Sequence, residues 1–201
     1  METKLNYKRT FLIGLAFLSI CSFWQMYDNI IPLILQNTYH LGETMTGAVM
    51  ALDNVLAIFL LPVFGMLSDK VHTKLGRRMP FIVAGTILAV IFMMLLPMID
   101  NAEKARWSTG ESFSNQVIFL AVLFFTLVSM GLYRSPAVAL MPDVTPNHLR
   151  SRANAVINLM GAVGGVYALI MIKVLVGKGE TPDYLPLFAS IAAVMAIAVG
   201  I

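Results

Sequence analysis

The stretch Gly65-Met66-Leu67-Ser68-Asp69-Lys70-Val71-His72-Thr73-Lys74-Leu75-Gly76-Arg77-Arg78-Met79-Pro80-Phe81-Ile82 decides the fold. It is a charged island between two long apolar runs. Gly65 permits close packing at a helix end, Asp69 is placed to meet a neighbouring helix N-terminus or an arginine, and Gly76 allows a turn. Arg77 and Arg78 read as anchors at a membrane surface. Placing basic residues on one side of a bilayer requires only lysine and arginine, not this order.

Outward from the island, charge stays gathered in short clusters. The chain has 201 residues, of which 58% are apolar and 12% charged, against about 25% charged in a soluble domain. That excludes an ordinary soluble globular fold, and the apolar content excludes disorder. One cysteine, Cys21, excludes an internal disulfide. Crossing a bilayer takes about 20 helical residues, and six spans of that kind are predicted, about 11–35, 45–67, 79–99, 117–141, 153–176 and 184–201. The runs are continuous rather than alternating, so they are helices and not barrel strands. The first run is too long for a signal peptide and is read as an uncleaved helix.

Orientation follows from lysine and arginine. Lys4, Lys8, Arg9, Lys70, Lys74, Arg77, Arg78, Arg150 and Arg152 fall on one side, and Lys104, Arg106, Lys173 and Lys178 on the other. The richer side, with the N-terminus, is predicted to be cytoplasmic, and the polar loop Asp100 to Gln116 to face out. A faint echo at an offset of about 107 residues relates spans one to three to spans four to six, as in a three-plus-three inverted repeat.

Charges inside spans carry the functional reading. Asp28 follows Trp24-Gln25-Met26-Tyr27 and precedes Asn29. Trp24 with Asp28, and Gln25 with Asn29, stand four apart and offer an aromatic plate, amides and an acid to a sugar. The other reading makes Trp24 and Tyr27 interfacial aromatics. Asp53 lies at about the depth of Asp28, about 10–12 Å below the outer end at 1.5 Å per residue. Two carboxylates in one cavity suit a proton or cation carrier, although Asp53 alone also reads as a bond to a neighbouring helix. Arg134, after Tyr133 in span four, needs an acid or an anionic ligand, or snorkels to the surface, and a cavity between it and Asp28 could hold a small polar substrate. Asn154 and Asn158 precede Gly161, Gly164 and Gly165, a packing surface, and Asn158 joins the substrate-binding set. His40, His72 and His148 are separated by whole spans, so no metal site is expected. Hydrolase and Walker signatures are absent, so no enzyme, cofactor or nucleic-acid function is expected.

The loop after span two resembles the signature between the second and third helices of major facilitator transporters. Its longer form, with five residues from Val71 to Leu75 before Gly76, is similar to the plant-type sucrose–proton symporters and the glycoside–pentoside–hexuronide group. Tyr133-Arg134-Ser135-Pro136 through Met141-Pro142-Asp143, then Arg150-Ser151-Arg152-Ala153-Asn154-Ala155, agrees with the same group. The resemblance implies an all-α transporter half that moves a sugar or glycoside by alternating access, in the plasma (bacterial inner) membrane. It implies coupling or substrate roles for Arg134 and a gate built from Gly65, Asp69, Gly76, Arg77, Arg78, Asp143, Arg150 and Arg152. The residues before Pro62, Ala57 to Leu61, lack the acids of sodium-coupled members, so the proton is the expected ion. The sequence ends inside span six, so the reading is an N-terminal half whose partner is a missing C-terminal half or second subunit. The rival readings are an exporter of other small molecules and a non-transporting half-transporter.

Overall fold

The computed structural model describes residues 6–71, 73, 76–109, 115–177, 179 and 181–201. Lys4, His72, Lys74, Leu75 and Lys178 lie outside them. The described residues form six α-helices and no strand: α1 Tyr7–Asn37, α2 Glu43–Lys70, α3 Met79–Thr109, α4 Gln116–Val144, α5 Arg150–Leu175 and α6 Leu185–Gly200, with a 3₁₀ turn at Asn147–Leu149. Five are long and apolar enough to cross a membrane, and α6 is a shorter apolar helix. A bilayer offers no hydrogen-bond partners, so backbone groups are satisfied within helices. Pro32, Pro62, Pro97, Pro136 and Pro142 lie inside helices.

Packing follows the internal repeat. Helix α1 runs along α5 as α2 runs along α4; α3 packs on α4 as α6 packs on α1; α3 also meets α6, and α1 meets α4. Exchanging α1 with α4, α2 with α5 and α3 with α6 maps this pattern onto itself. The core is centred on α1, where Phe23, Met26, Tyr27, Ile30, Ile31, Ile34 and Leu35 are buried. By contrast, α2 buries only Thr46 and Ser68.

Glycine sets the closest approaches. A Cβ at Gly164 of α5 would fall within 2.9 Å of the Leu18 backbone of α1, and one at Gly85 of α3 within 2.9 Å of the Tyr133 backbone of α4. Ser22 Oγ donates to the Gly164 carbonyl at 2.8 Å, bonding α1 to α5 across that contact.

The predicted loop from Asp100 is instead a helical extension: α3 continues to Thr109, and residues 110–114 lie outside the described set. Asp100 is fully buried. It accepts from Thr38 Oγ1 at 2.6 Å and from Lys104 Nζ at 2.6 Å. Lys104 also donates to the Pro182 carbonyl at 2.7 Å and sits 4.6 Å from the Tyr184 ring centre. Asn101 donates to Asp183, which also accepts from the Leu185 backbone N–H. This staple ties α1, α3 and the α5–α6 connection together. Nearby, burial, then the negative charges of Asp100 and Glu103, push the Tyr39 phenol above its ordinary value, so it stays neutral. The sequence reading missed the staple because it counted Asp100 and Lys104 as loop polarity, although their i, i+4 spacing is that of a helical ion pair.

Three stability outcomes follow. Gly164→Val, measured as the thermal midpoint in detergent, lowers stability by about 1–3 kcal/mol or more, because the obstacle is backbone. Gly47→Ala, with open space around it, leaves the midpoint unchanged or slightly raised. Lys104→Met strands a buried carboxylate and costs about 3–5 kcal/mol; adding Asp100→Asn restores most of the loss, and a double variant as unstable as the single one contradicts the pairing.

Candidate functional site

Two clefts flank α1. Trp24 and Gln25 are consecutive, so their side chains diverge by about 100° and serve one cleft each. The first lies between α1, α2 and α4 and is lined by Trp24, Asp53, Leu56, Gly131 and Arg134. It has room for about 20 Å³, enough for one water. The second, between α1 and α5, is an open groove of about 410 Å³ whose polar lining includes Cys21, Gln25 and Asn158.

Arg134 dominates the first cleft. Its guanidinium carbon lies 5.5 Å from the Trp24 ring centre. Among the described residues it makes no ion pair or side-chain hydrogen bond. A cation–π contact is worth about 0.5–2 kcal/mol, far less than a guanidinium loses on leaving water. Arg134 is partly buried and lines a space about the size of one water. The guanidinium of Arg134 stands over the Trp24 ring, and Trp24 is partly buried.

The acids are arranged around it. Asp53 accepts from Asn54 Nδ2 at 2.8 Å and makes no ion pair with Arg134. Asp28 and Asn29 are exposed. Asn29 donates to the Gln25 carbonyl of its own helix at 2.7 Å, which uses one amide hydrogen locally. Asp28 makes no side-chain bond to a described residue and no direct pair with Arg134.

Tyr133 is not on either cleft. Its side chain is fully buried and shares a 2.7 Å hydrogen bond with Ser19 Oγ, with the Ala16 carbonyl at 3.2 Å. It braces α4 against α1 and thereby fixes the backbone that presents Arg134. Nothing in the local sequence distinguishes Tyr133 from a cleft residue, because its partner is 114 positions away. Asn158 is exposed on α5 and lines the groove with Gln25.

At the opposite end from the Asp100 staple, the residues of the deciding loop assemble around Arg78. Its Nε donates to Asp143 Oδ2 at 2.6 Å, and a second guanidinium nitrogen lies 3.1 Å from Asp69 Oδ1. Ser68 Oγ is 3.5 Å from the third. Arg78 is buried, so it is no surface anchor: it joins the ends of α2 and α4 to the start of α3. Arg77 is exposed. Gly76 has φ +101° and donates its N–H to the Thr73 carbonyl, the tight turn its position demanded. A Cβ at Gly65 would lie 3.4 Å from Ser135 Oγ, which donates to the Leu61 carbonyl. Arg150 donates to the Pro142 and Thr145 carbonyls and so caps α4, while Arg152 is exposed.

Similarity to known proteins agrees with this arrangement. Sucrose transport protein SUC4 of Arabidopsis thaliana is 35% identical over 116 residues, 54% of this chain and 22% of that protein. Sucrose transport protein SUT3 of Oryza sativa subsp. japonica is 26% identical over 137 residues, 64% of this chain and 27% of that protein. Sucrose transport protein SUC3 of Arabidopsis thaliana is 27% identical over 120 residues, 56% of this chain and 20% of that protein. The matched stretch is therefore about a quarter of these relatives' length. The model of the Major Facilitator Superfamily matches residues 3–201, and with six helices packed as two exchanged triplets, this multi-pass membrane protein belongs to that superfamily.

Proposed function

We propose that the chain is the first half of a secondary transporter that moves sucrose or a related glycoside together with a proton across the plasma (bacterial inner) membrane, its N-terminus cytoplasmic. The observation that carries the reading is Arg134: a guanidinium within a membrane-spanning helix, held over Trp24 and without an acid partner among the described residues. Such a group needs a ligand rich in acceptors. A sugar supplies them without neutralising the charge permanently, so it binds and leaves. The likeness to sucrose transport proteins points to the same class.

In this reading Arg134 donates to sugar hydroxyls, Asp28 accepts from them, and Gln25 and Asn158 serve the groove side. Asn29 supports Gln25 through the backbone, and Tyr133 acts from within the bundle. Asp28 or Asp53 takes the proton: both are carboxylates within spanning helices, and neither forms an ion pair among the described residues. The two halves of the transporter close over the substrate between them. The Arg78–Asp69–Asp143 cluster, with Arg150 capping α4, latches the three cytoplasmic helix ends in one state and opens in the other.

The full-length natural protein, expressed in cells, accumulates radiolabelled sucrose faster at acidic external pH, and a protonophore abolishes the accumulation. Absence of any sucrose or glucoside accumulation contradicts the proposal. Arg134→Lys, which keeps charge but loses the fork, lowers uptake at least about tenfold at unchanged membrane abundance. Arg78→Lys lowers Vmax by about tenfold with KM within about twofold, as a latch outside the binding site requires; a selective rise in KM would place Arg78 at the substrate instead.

A further inference from the structure

Three buried side-chain polar atoms among the described residues lack a protein partner: Trp24 Nε1, the Tyr27 hydroxyl and the Tyr39 hydroxyl. Two of the three are one helical turn apart on α1. Buried polar groups are almost always bonded, so a pair of orphans beside one cleft calls for a partner.

Tyr27 is 1% exposed, and its ring is fixed by Phe23 at 6.1 Å and Trp24 at 5.4 Å. On α2, Val49 and Leu56 pack against the core that contains Tyr27. Asp53, four residues after Val49 and three before Leu56, shares that helix face. Asp53 lines the first cleft with Trp24, which precedes Tyr27 by about one helical turn on α1. Among the described residues, Asp53 is held only by its neighbour Asn54. The helix that carries it is the least buried of those long enough to span. The other charges around the cleft are Asp28 on α1 and Arg134 on α4, and α6, which also packs on α1, has no ionisable residue.

We infer that the Tyr27 hydroxyl is the donor that positions Asp53: it bonds the Asp53 carboxylate when α2 closes on α1, or bonds it through the single water for which the cleft has room. Tyr27 is therefore a positioning residue for ion coupling, acting through Asp53 and touching no sugar. The inference rests on the coupling role proposed above for Asp53.

The test uses Tyr27→Phe in the full-length natural protein, which removes one oxygen and keeps the ring. Proton-driven uptake of radiolabelled sucrose falls at least about fivefold in Vmax, while sucrose KM and sucrose counterflow, which needs no net proton movement, stay within about twofold. Unchanged uptake, or counterflow lost in step with uptake, overturns the inference. A second arm needs no transport: thermal midpoints of the purified wild type, Tyr27→Phe, Asp53→Asn and the double variant. Midpoint shifts that fail to add show that the two side chains are coupled; additive shifts, or none from Tyr27→Phe, overturn it. If the wild type moves no sucrose, the transport reading fails while this second arm still decides the Tyr27–Asp53 contact.

Discussion

The rest of the molecule depends on the close approach of α1 and α5 at Gly164. The Leu18 backbone occupies the space where any other residue would carry a side chain, and Ser22 seals the contact by donating to the Gly164 carbonyl. Lipid tails are as apolar as leucine, so membrane helices associate through such close packing and interhelical hydrogen bonds. With α1 drawn onto α5, Gln25 and Asn158 face one groove. The far side of α1 is left to α4, α6 and the lightly packed α2. Tyr133, bonded to Ser19, sets the height of α4 against α1 and with it the position of Arg134.

Charge is handled in two ways, and the contrast separates scaffold from site. At the two ends of the bundle, buried charges are paired and bonded: Asp100 with Lys104 and Thr38, and Arg78 with Asp69 and Asp143. Such pairs lock connections between helices at a desolvation cost that geometry offsets. Between the ends, Asp28, Asp53 and Arg134 form no ion pairs with one another or with other described residues. A membrane protein that leaves charges unpaired at depth does so where a ligand, an ion or water reaches them. Asp53 and Arg134 line one of the two clefts beside α1.

Much of this was legible in the sequence. The spans were visible because charge clusters so tightly, and the helices extend them by one to ten residues at most ends. The order of glycine, aspartate and arginine in the deciding loop gave the family. The sequence places Asp69 to meet either a helix N-terminus or an arginine, and it meets Arg78. The misreadings share one cause. Position along a helix gives depth, but facing depends on neighbours far away in sequence. Tyr133 read as a cleft residue because it adjoins Arg134, yet it turns inward to Ser19. Arg78 read as a surface anchor beside Arg77, and it is buried. The segment from Asp100 read as loop because its polarity hid a helical i, i+4 pair.

If this half carries sucrose, as proposed, substrate sits on the open face formed by α1, α2, α4 and α5. Cys21 reports on it directly, since it lines the groove with Gln25 and Asn158. The measurement is the rate of Cys21 alkylation in native membranes, read peptide by peptide by mass spectrometry, with sucrose or mannitol present. The account predicts that sucrose slows alkylation of Cys21 at concentrations near its transport KM and that mannitol leaves it unchanged. Equal rates in the two sugars, in a protein that transports sucrose, would contradict it.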